Sequence, residues 1–211
     1  MAKQRIADEL EKAEKEWGVG GGKSDFFKLQ EGNNVVRILT PLVAYPSHYN
    51  FGACIGKKDC PECHKTRKTK DGKEVPNDPM VKFLCLLVAF PTDKDKADAT
   101  ANGLSEPQPT VKIGQLPYTI VKELQNFQDD DDYAFDEFPM PYNVKIKAKG
   151  AGTKEVEYSV VASPKPSEIS PELLAQAKAM NTPEEIRDNF RKAQMKKLGL
   201  ISPQPGETTS E

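Results

Sequence analysis

The chain has 211 residues, 37% hydrophobic and 29% charged, a composition that suits one moderate domain with long solvated segments. It has no apolar run of membrane-spanning length, and its charged N-terminus is unlike a signal peptide, so we expect an intracellular protein with no membrane partner. Taken alone, the net charge of −2 argues against a nucleic-acid partner.

The first 22 residues are predicted to form a helical arm with a hinge. Apolar residues recur at helical spacing from residue 2 to Trp17, with charged residues between them. The glycine-rich stretch from Gly18 to Gly22 then ends the helix and supplies a flexible joint. Such an arm is compatible with self-association and equally with docking on its own domain.

A metal motif follows the first predicted strand, residues 35–39. Its ligand types are spaced His48-x5-Cys54-x5-Cys60-x2-Cys63. Two cysteines separated by two residues can reach one tetrahedral ion, and a third cysteine with a histidine completes a structural zinc site with no open position. In a reducing compartment, clustered thiols indicate one Zn²⁺ rather than a disulfide.

Two histidines compete for the fourth ligand position. His64 directly follows Cys63, and neighbouring residues rarely point at one ion without strain. His48 lies at the end of an apolar run, from which it can reach the site, and we favour it. The zinc subdomain is predicted to cover about residues 46–75.

Charge is unevenly distributed along the chain. Residues 54–73 carry seven cations and three anions, a local charge of +4, whereas residues 93–142 carry four cations and eleven anions, a local charge of −7. A basic region built on the zinc loop is typical of a phosphate-binding surface, although a solvated charged loop gives the same pattern.

Residues 23–165 are predicted to form the core. Strands are predicted at 35–39, 81–90, 110–116, 143–149 and 156–161, with a helix at 118–127 and a hairpin turn at 150–153. Cys85, inside the most apolar strand, is expected to be buried. The pattern favours a mainly β fold with helices: a five-stranded barrel of the oligonucleotide-binding (OB) type with a zinc-binding insertion and flanking helices. A sandwich is the competing topology.

Two capped helices are predicted within residues 166–200, after a proline-rich linker. Ser170 caps the first, and Thr182 with Glu185 forms a capping box for the second, which Gly199 ends. Residues 201–211 are rich in Pro, Gly, Ser and Thr and are predicted to be a disordered tail.

Aromatic residues interleave with cations in the predicted core. Every base has a π-face, so aromatic platforms beside a cationic groove bind single strands without reading their sequence. The residues predicted to contact phosphates are Lys57, Lys58, Arg67, Lys82, Lys145 and Lys147, with Arg37 in addition, and those predicted to stack on bases are Tyr45, Tyr49, Tyr142 and Tyr158. Burial in the core is an equal alternative for these four tyrosines, because their hydroxyl needs water or a partner.

The order of these segments resembles that of the zinc-containing single-stranded DNA-binding proteins of T-even-type bacteriophages and related phages. The likeness rests on residues 27–39, on His48, Cys54 and the Cys60-Pro-Glu-Cys63 motif, and on the late hairpin from residue 142 to 161. It covers roughly residues 26–165.

This resemblance implies an OB barrel with a zinc subdomain, and it places His48 rather than His64 in the ligand set. It implies cooperative coating of single strands during DNA replication, recombination and repair. It also implies self-association through the N-terminal arm and recruitment of replication and recombination proteins through an acidic tail. Here the tail carries only Glu207 and Glu211, so the two capped helices are candidates to replace it.

The function expected from the sequence is therefore non-enzymatic, sequence-independent binding of single-stranded DNA. One rival is a zinc-ribbon module that binds a protein, as a replication or transcription accessory factor. Another is a metal-dependent nuclease that uses the acidic run at residues 129–132.

Overall fold

The structure is a computed structural model that describes residues 25–48, 51–133, 135, 137–153, 155–162 and 167–201. The predicted arm and hinge, most of the predicted linker and the tail after residue 201 lie outside these residues. Within them the fold is mixed α/β with a mostly antiparallel sheet, 28% helix and 31% strand, which is more evenly balanced than the mainly β fold predicted. None of the described helices has the length and apolar character needed to cross a membrane.

The described residues form nine strands, four α-helices and one short 3-10 helix. The strands are β1 (Gly32–Ile38), β2 (Val43–His48), β3 (Gly52–Ala53), β4 (Thr66–Lys68), β5 (Glu74–Pro76), β6 (Met80–Ala89), β7 (Thr110–Pro117), β8 (Val144–Lys149) and β9 (Glu157–Ala162). The helices are α1 (Asp93–Ala101), α2 (Tyr118–Gln128), α3 (Pro171–Lys178) and α4 (Pro183–Lys197), with the 3-10 helix at Pro61–His64.

One seven-stranded sheet organises the fold. Its order is β3-β2-β6-β1-β8-β9, and β7 pairs with the other edge of β6. Strands β1 and β2 run in the same direction along β6, with Ile38 opposite Leu87 and Val43 opposite Leu84, so together they act as one long interrupted strand. Strand β8 then returns beside β1. The sheet is not closed into a barrel, so the predicted OB barrel is not established by the fold alone.

Alternate residues of a strand point to opposite sides, and both faces of the sheet carry buried residues, the outer face only along part of its width. The inner face packs against α2 through Ile120 and Leu124, and Cys85 lies here with no exposed surface, as predicted. The outer face of β2, β6 and β7 packs against α3 and α4, with Ile186 of α4 buried on it. The C-terminal helices therefore cover one side of the sheet rather than trailing from it.

The predicted helix signals were confirmed where they could be checked. The Ser170 hydroxyl accepts a hydrogen bond from the backbone N–H of Leu173, and Thr182 and Glu185 form the full capping box of α4. Gly199 follows α4 with φ +69°, a left-handed conformation that ends a helix readily. Helix α1 was missed, because it buries no residue and shows no apolar periodicity.

Candidate metal centre and basic surface

Four side chains meet in one place between β2 and the 3-10 helix. The ligand atoms of His48, Cys54, Cys60 and Cys63 all lie within 4.8 Å of one another. The Cys63 Sγ is 3.5 Å from the Cys54 Sγ and 3.3 Å from the His48 Nε2. Ligands about 2.3 Å from a tetrahedral zinc are separated by about 3.8 Å, so this spacing fits one metal ion closely.

A hairpin and a tight turn bring these ligands together. Strands β2 and β3 form a hairpin in which His48 lies opposite Gly52, and this returns the chain so that Cys54 follows directly. Gly52 has φ +107°, a conformation that favours glycine. In the Cys60–Cys63 turn, the N–H of Cys63 donates to the carbonyl of Cys60 at 3.1 Å. The motif spacing thus becomes a compact cluster through backbone geometry.

The electrostatics of the cluster favour a cation. Burial, together with the neighbouring thiols of Cys54 and Cys60, raises the pKa of the Cys63 thiol to about 12. Burial also disfavours the Cys60 thiolate, but hydrogen bonds from the backbone of Cys63 and Glu62 outweigh it and lower the pKa of Cys60. A second thiolate in this cluster is therefore disfavoured, and a positive ion would compensate it.

The second histidine lies outside the cluster. His64 is exposed, and its Nε2 is 3.2 Å from the carbonyl oxygen of Lys58. His48 is 4% exposed and points its Nε2 at Cys63. The four residues that can bind one metal ion are thus the set that the sequence favoured.

Exposed cations come from two distant parts of the chain, the metal loop and strand β8. Lys57, Lys58 and Arg67 are exposed on the metal loop, and Lys145 and Lys147 are exposed on β8. The Lys57 Nζ is 3.1 Å from the Asp78 Oδ1, and the two side chains are 77% and 62% exposed, so this pair is weak.

One ion pair marks where the two basic regions meet. The Lys70 Nζ, in the turn between β4 and β5, is 2.8 Å from the Glu155 Oε1, in the turn between β8 and β9. Both side chains are highly exposed, so the pair adds little stability. The ion pair nevertheless shows that the metal loop lies beside the β8–β9 hairpin.

Arg37 is a correction to the predicted surface. Its side chain is buried, and its Nη1 donates to the carbonyl oxygens of Ser167 at 2.9 Å and Met140 at 3.2 Å. Its Nε donates to the Asn143 Oδ1 at 2.8 Å, and its Nη2 to the Ser167 hydroxyl. Burial lowers the pKa of Arg37. Its donors are used inside the fold, so we remove it from the phosphate-contact set.

Tyr45 and Tyr142 are corrections of the same kind. Tyr45 is 7% exposed on the outer face, with its ring centroid 5.2 Å from that of Phe190 in α4. Tyr142 is 4% exposed on the inner face, and its hydroxyl donates to the carbonyl of Tyr133 at 2.5 Å. Neither ring has a free face on which a base can stack, so both leave the predicted interface.

The remaining residues that were predicted to bind DNA lie on different faces of the sheet. Tyr158 is half-buried and lies on the inner face, opposite Ala148, whereas Lys145 and Lys147 point to the outer face. Lys82 is half-buried on β6. Tyr49 lies outside the described residues.

An exposed aromatic residue was missed by the sequence reasoning. Tyr118, the first residue of α2, is 59% exposed and follows Pro117, which lies opposite Lys82. Met80 and Val81 are also exposed at this end of β6, where the chain leaves the metal loop. A helix turns about 100° per residue, which places Tyr118 about 160° from the buried Ile120. The position of Tyr118, nearly opposite the buried face of the helix, could therefore have indicated its exposure from the sequence.

The acidic run at residues 129–132 lies in the turn after α2. There the backbone N–H of Asp132 donates to the Asp130 Oδ1 at 2.9 Å. Among the described residues, the only group of three or more His, Cys, Asp or Glu side chains with metal-binding spacing is the His/Cys cluster. The run thus gives no support to a metal-dependent nuclease.

Comparisons with protein-family models, with curated proteins and with solved structures found no match for this chain. The resemblance to phage single-stranded DNA-binding proteins therefore stays a prediction from sequence motifs.

Proposed function

We propose that this protein binds single-stranded DNA without strong sequence preference, coats and protects it during replication, recombination and repair, and uses zinc to order its binding loop. It acts without catalysis. The observation that carries the proposal is the meeting of the basic loop that holds the His/Cys cluster with the β8–β9 hairpin, at the Lys70–Glu155 ion pair.

Zinc is the metal that suits the cluster best. Three thiolates and one imidazole in near-tetrahedral spacing are typical of structural zinc sites. The four protein ligands leave no position for a substrate or a reactive water, which favours a structural role over a catalytic one. The ion would hold the loop between β2 and β6, which carries Lys57, Lys58 and Arg67.

The topology supports an OB-type core. Counting β1 and β2 as one strand, the order β8-β1-β6-β7 matches a Greek key, in which the fourth strand returns beside the first. An OB fold is a partly open five-stranded Greek-key barrel, and here β9 adds the fifth strand while α2 packs against β9, β6 and β7.

The two loops that bind oligonucleotides in OB folds connect strands one and two, and strands four and five. In this chain the first is the metal loop, and the second is the turn between β8 and β9. Helices α3 and α4 cover the outer face of β6 and β7. We therefore place the DNA on the two loops and on the β8 lysines. Near the start of β6, Tyr118 supplies a ring for base stacking, and Lys82 is the nearby cation.

Binding should depend on salt in a way that the cations predict. Five phosphate contacts, from Lys57, Lys58, Arg67, Lys145 and Lys147, give a slope of about −3.5 in log affinity against log salt, at about 0.7 per contact on a single strand. Each cation removed should reduce the slope by about 0.7.

The test is a fluorescence titration of a labelled oligo-dT strand at several salt concentrations, with duplex DNA as a competitor. A double variant, Lys145→Ala with Lys147→Ala, should weaken binding and reduce the slope. The matched control, Lys94→Ala with Lys178→Ala, removes two exposed lysines from α1 and α3 and should change neither. No binding by folded, zinc-loaded protein would reject the proposal.

A second candidate function is a zinc-containing module that binds a protein. The observation that favours it is the exposed apolar group formed by Met80, Val81 and Tyr118 beside the metal loop. It predicts a stable protein complex and no preference for single strands in the same titration.

A further inference from the structure

We propose that helix α4 is part of the metal centre, and that Gln194 is a positioning residue that accepts a hydrogen bond from the Nδ1–H of His48. This inference rests on the zinc site proposed above and goes beyond it, because it adds a side chain outside the His/Cys set. Its consequence is that metal binding and docking of the C-terminal helix stabilise each other.

The first observation is a pair of buried polar atoms without partners. His48 is 4% exposed and Gln194 is 7% exposed, yet the His48 Nδ1 and the Gln194 Nε2 make no hydrogen bond. The His48 Nε2 faces Cys63, so the metal takes the Nε2 lone pair and the neutral ring keeps its proton on Nδ1. A metal-ligating histidine almost always donates this second N–H to an acceptor.

The second observation is the proximity of the two side chains. His48 and Gly52 are opposite each other in the β2–β3 hairpin, and the Gln194 Oε1 lies 3.0 Å from the point that a Cβ on Gly52 would occupy. The amide therefore reaches into the hairpin that holds the ligand.

The Gln194 amide can present its oxygen, rather than its nitrogen, to the buried side of the helix. The oxygen and nitrogen of a glutamine amide exchange places by rotation about the last torsion, and their assignment follows from the hydrogen bonds made. Turning the Gln194 amide places its oxygen at the buried position where Nε2 has no partner. Because no hydrogen bond joins these two positions in the structure, a small shift of the Gln194 side chain or one bridging water completes the bond to the His48 proton.

The third observation is that the C-terminal half of α4 contacts the metal loop. The Arg191 Nη2 donates to the carbonyl of Ile55 at 3.1 Å, and Met195 and Leu198 pack against the cluster that contains Cys54 and Cys60. Positions 191, 194, 195 and 198 share one helical stripe. The helix thus contacts the loop at successive turns, and these contacts surround the metal ligands with a second layer of residues.

This arrangement links two events. A bound ion fixes the loop against which α4 docks, and a docked α4 fixes the His48 ring in the orientation that the ion needs. Because such coupling is reciprocal, any loss of helix docking must lower metal affinity by the same factor that metal removal lowers docking.

The test measures zinc affinity by competition with a chromophoric chelator. Gln194→Leu, which keeps the size and removes the acceptor, should weaken zinc binding by about 10–100-fold, as loss of an outer-shell partner does. Gln194→Glu keeps an acceptor oxygen and should stay close to wild type. Lys192→Leu, a change at an exposed position of the same helix, is the matched control and should have no effect.

A second readout uses the wild-type protein, so it does not depend on a variant that folds. In the zinc-loaded protein, NMR of the His48 ring should show a proton on Nδ1 that exchanges slowly with solvent. A proton that exchanges freely would overturn the inference, and so would equal zinc affinity in the wild type and Gln194→Leu. A wild type that binds no zinc would overturn both this inference and the proposed zinc site. A wild type that binds zinc as tightly as Gln194→Leu would overturn this inference alone.

Discussion

The inner face of the sheet and the metal loop are packed by very different means. Fourteen buried residues from strands, α2 and the loops around them fill the inner face. The corresponding cluster in the metal loop has three buried residues, Cys54, Ile55 and Cys60. Two of the three are metal-ligand candidates, so the loop has almost no apolar core apart from its thiols. The sheet can be stable by burial, whereas we expect the loop to depend on the metal ion proposed for the His/Cys cluster.

The largest effect on this difference between the sheet and the loop is expected from the removal of one metal ligand. Cys60→Ser should abolish zinc binding and open the loop between β2 and β6, because structural zinc supplies most of the folding free energy of such small units. The sheet should stay folded. Zinc content and hydrogen exchange of the loop amides measure both effects.

Cys85 offers the control, since it is the cysteine of the sheet core. Cys85→Ala removes a fully buried thiol and should leave zinc content at the wild-type level. Loss of the sheet in Cys60→Ser, seen as rapid exchange in β6 and β7, would show that the two regions are not independent.

The next largest effect is expected in the sheet, on its tightly packed inner face. A Cβ on Gly114 would lie 2.7 Å from the Leu87 Cδ2 and 2.9 Å from the Cys85 Sγ, on the inner face. Gly114→Ala should therefore lower the free energy of unfolding by about 1–3 kcal/mol through overpacking. Urea unfolding measures it, and zinc content should not change.

A matched control for that change is Ser159→Ala, an exposed position on β9. It should alter stability by less than about 0.5 kcal/mol. If Gly114→Ala were as stable as the wild type, the inner face would have to be less tightly packed than the contacts of Gly114 indicate.

The metal ligands were predictable because the signal is local. His48, Cys54, Cys60 and Cys63 fall within sixteen residues of one another, so their spacing indicated one site, although His64 stayed open as the alternative to His48. The strands were predictable for a similar reason: alternation along β8 is a property of six consecutive residues, Val144–Lys149. Local periodicity and motif spacing carried these parts of the fold.

The burial of Arg37 was not predictable from local pattern. Its partner Ser167 is 130 residues away, and no pattern around Arg37 indicates that contact. The ring of Tyr45 packs on Phe190 of α4, a comparably distant helix. Tyrosine is amphipathic, so sequence alone left its position open until the tertiary contacts decided it.

A third prediction concerns the stacking position that replaces those tyrosines. Tyr118→Ala should weaken single-strand binding by about 1–3 kcal/mol, the usual cost of losing a base–aromatic stack. Tyr118→Phe keeps the ring and should bind nearly as well. The oligo-dT titration measures both, and unchanged affinity in Tyr118→Ala would remove this residue from the interface.

The smallest expected effect tests the assignment of Tyr142 to the core. Its hydroxyl donates to the Tyr133 carbonyl, and its ring packs edge-on against those of Tyr133 and Phe135. Tyr142→Phe should cost about 1 kcal/mol of unfolding free energy, because a buried carbonyl loses its donor. Single-strand affinity should not change, since the ring lies inside the inner face and away from the outward-pointing lysines of β8. The opposite result, a loss of affinity at full stability, would return Tyr142 to the DNA surface. It would also show that the inner face opens when the protein binds, because no base can reach that ring while the sheet and its apolar cluster stay closed.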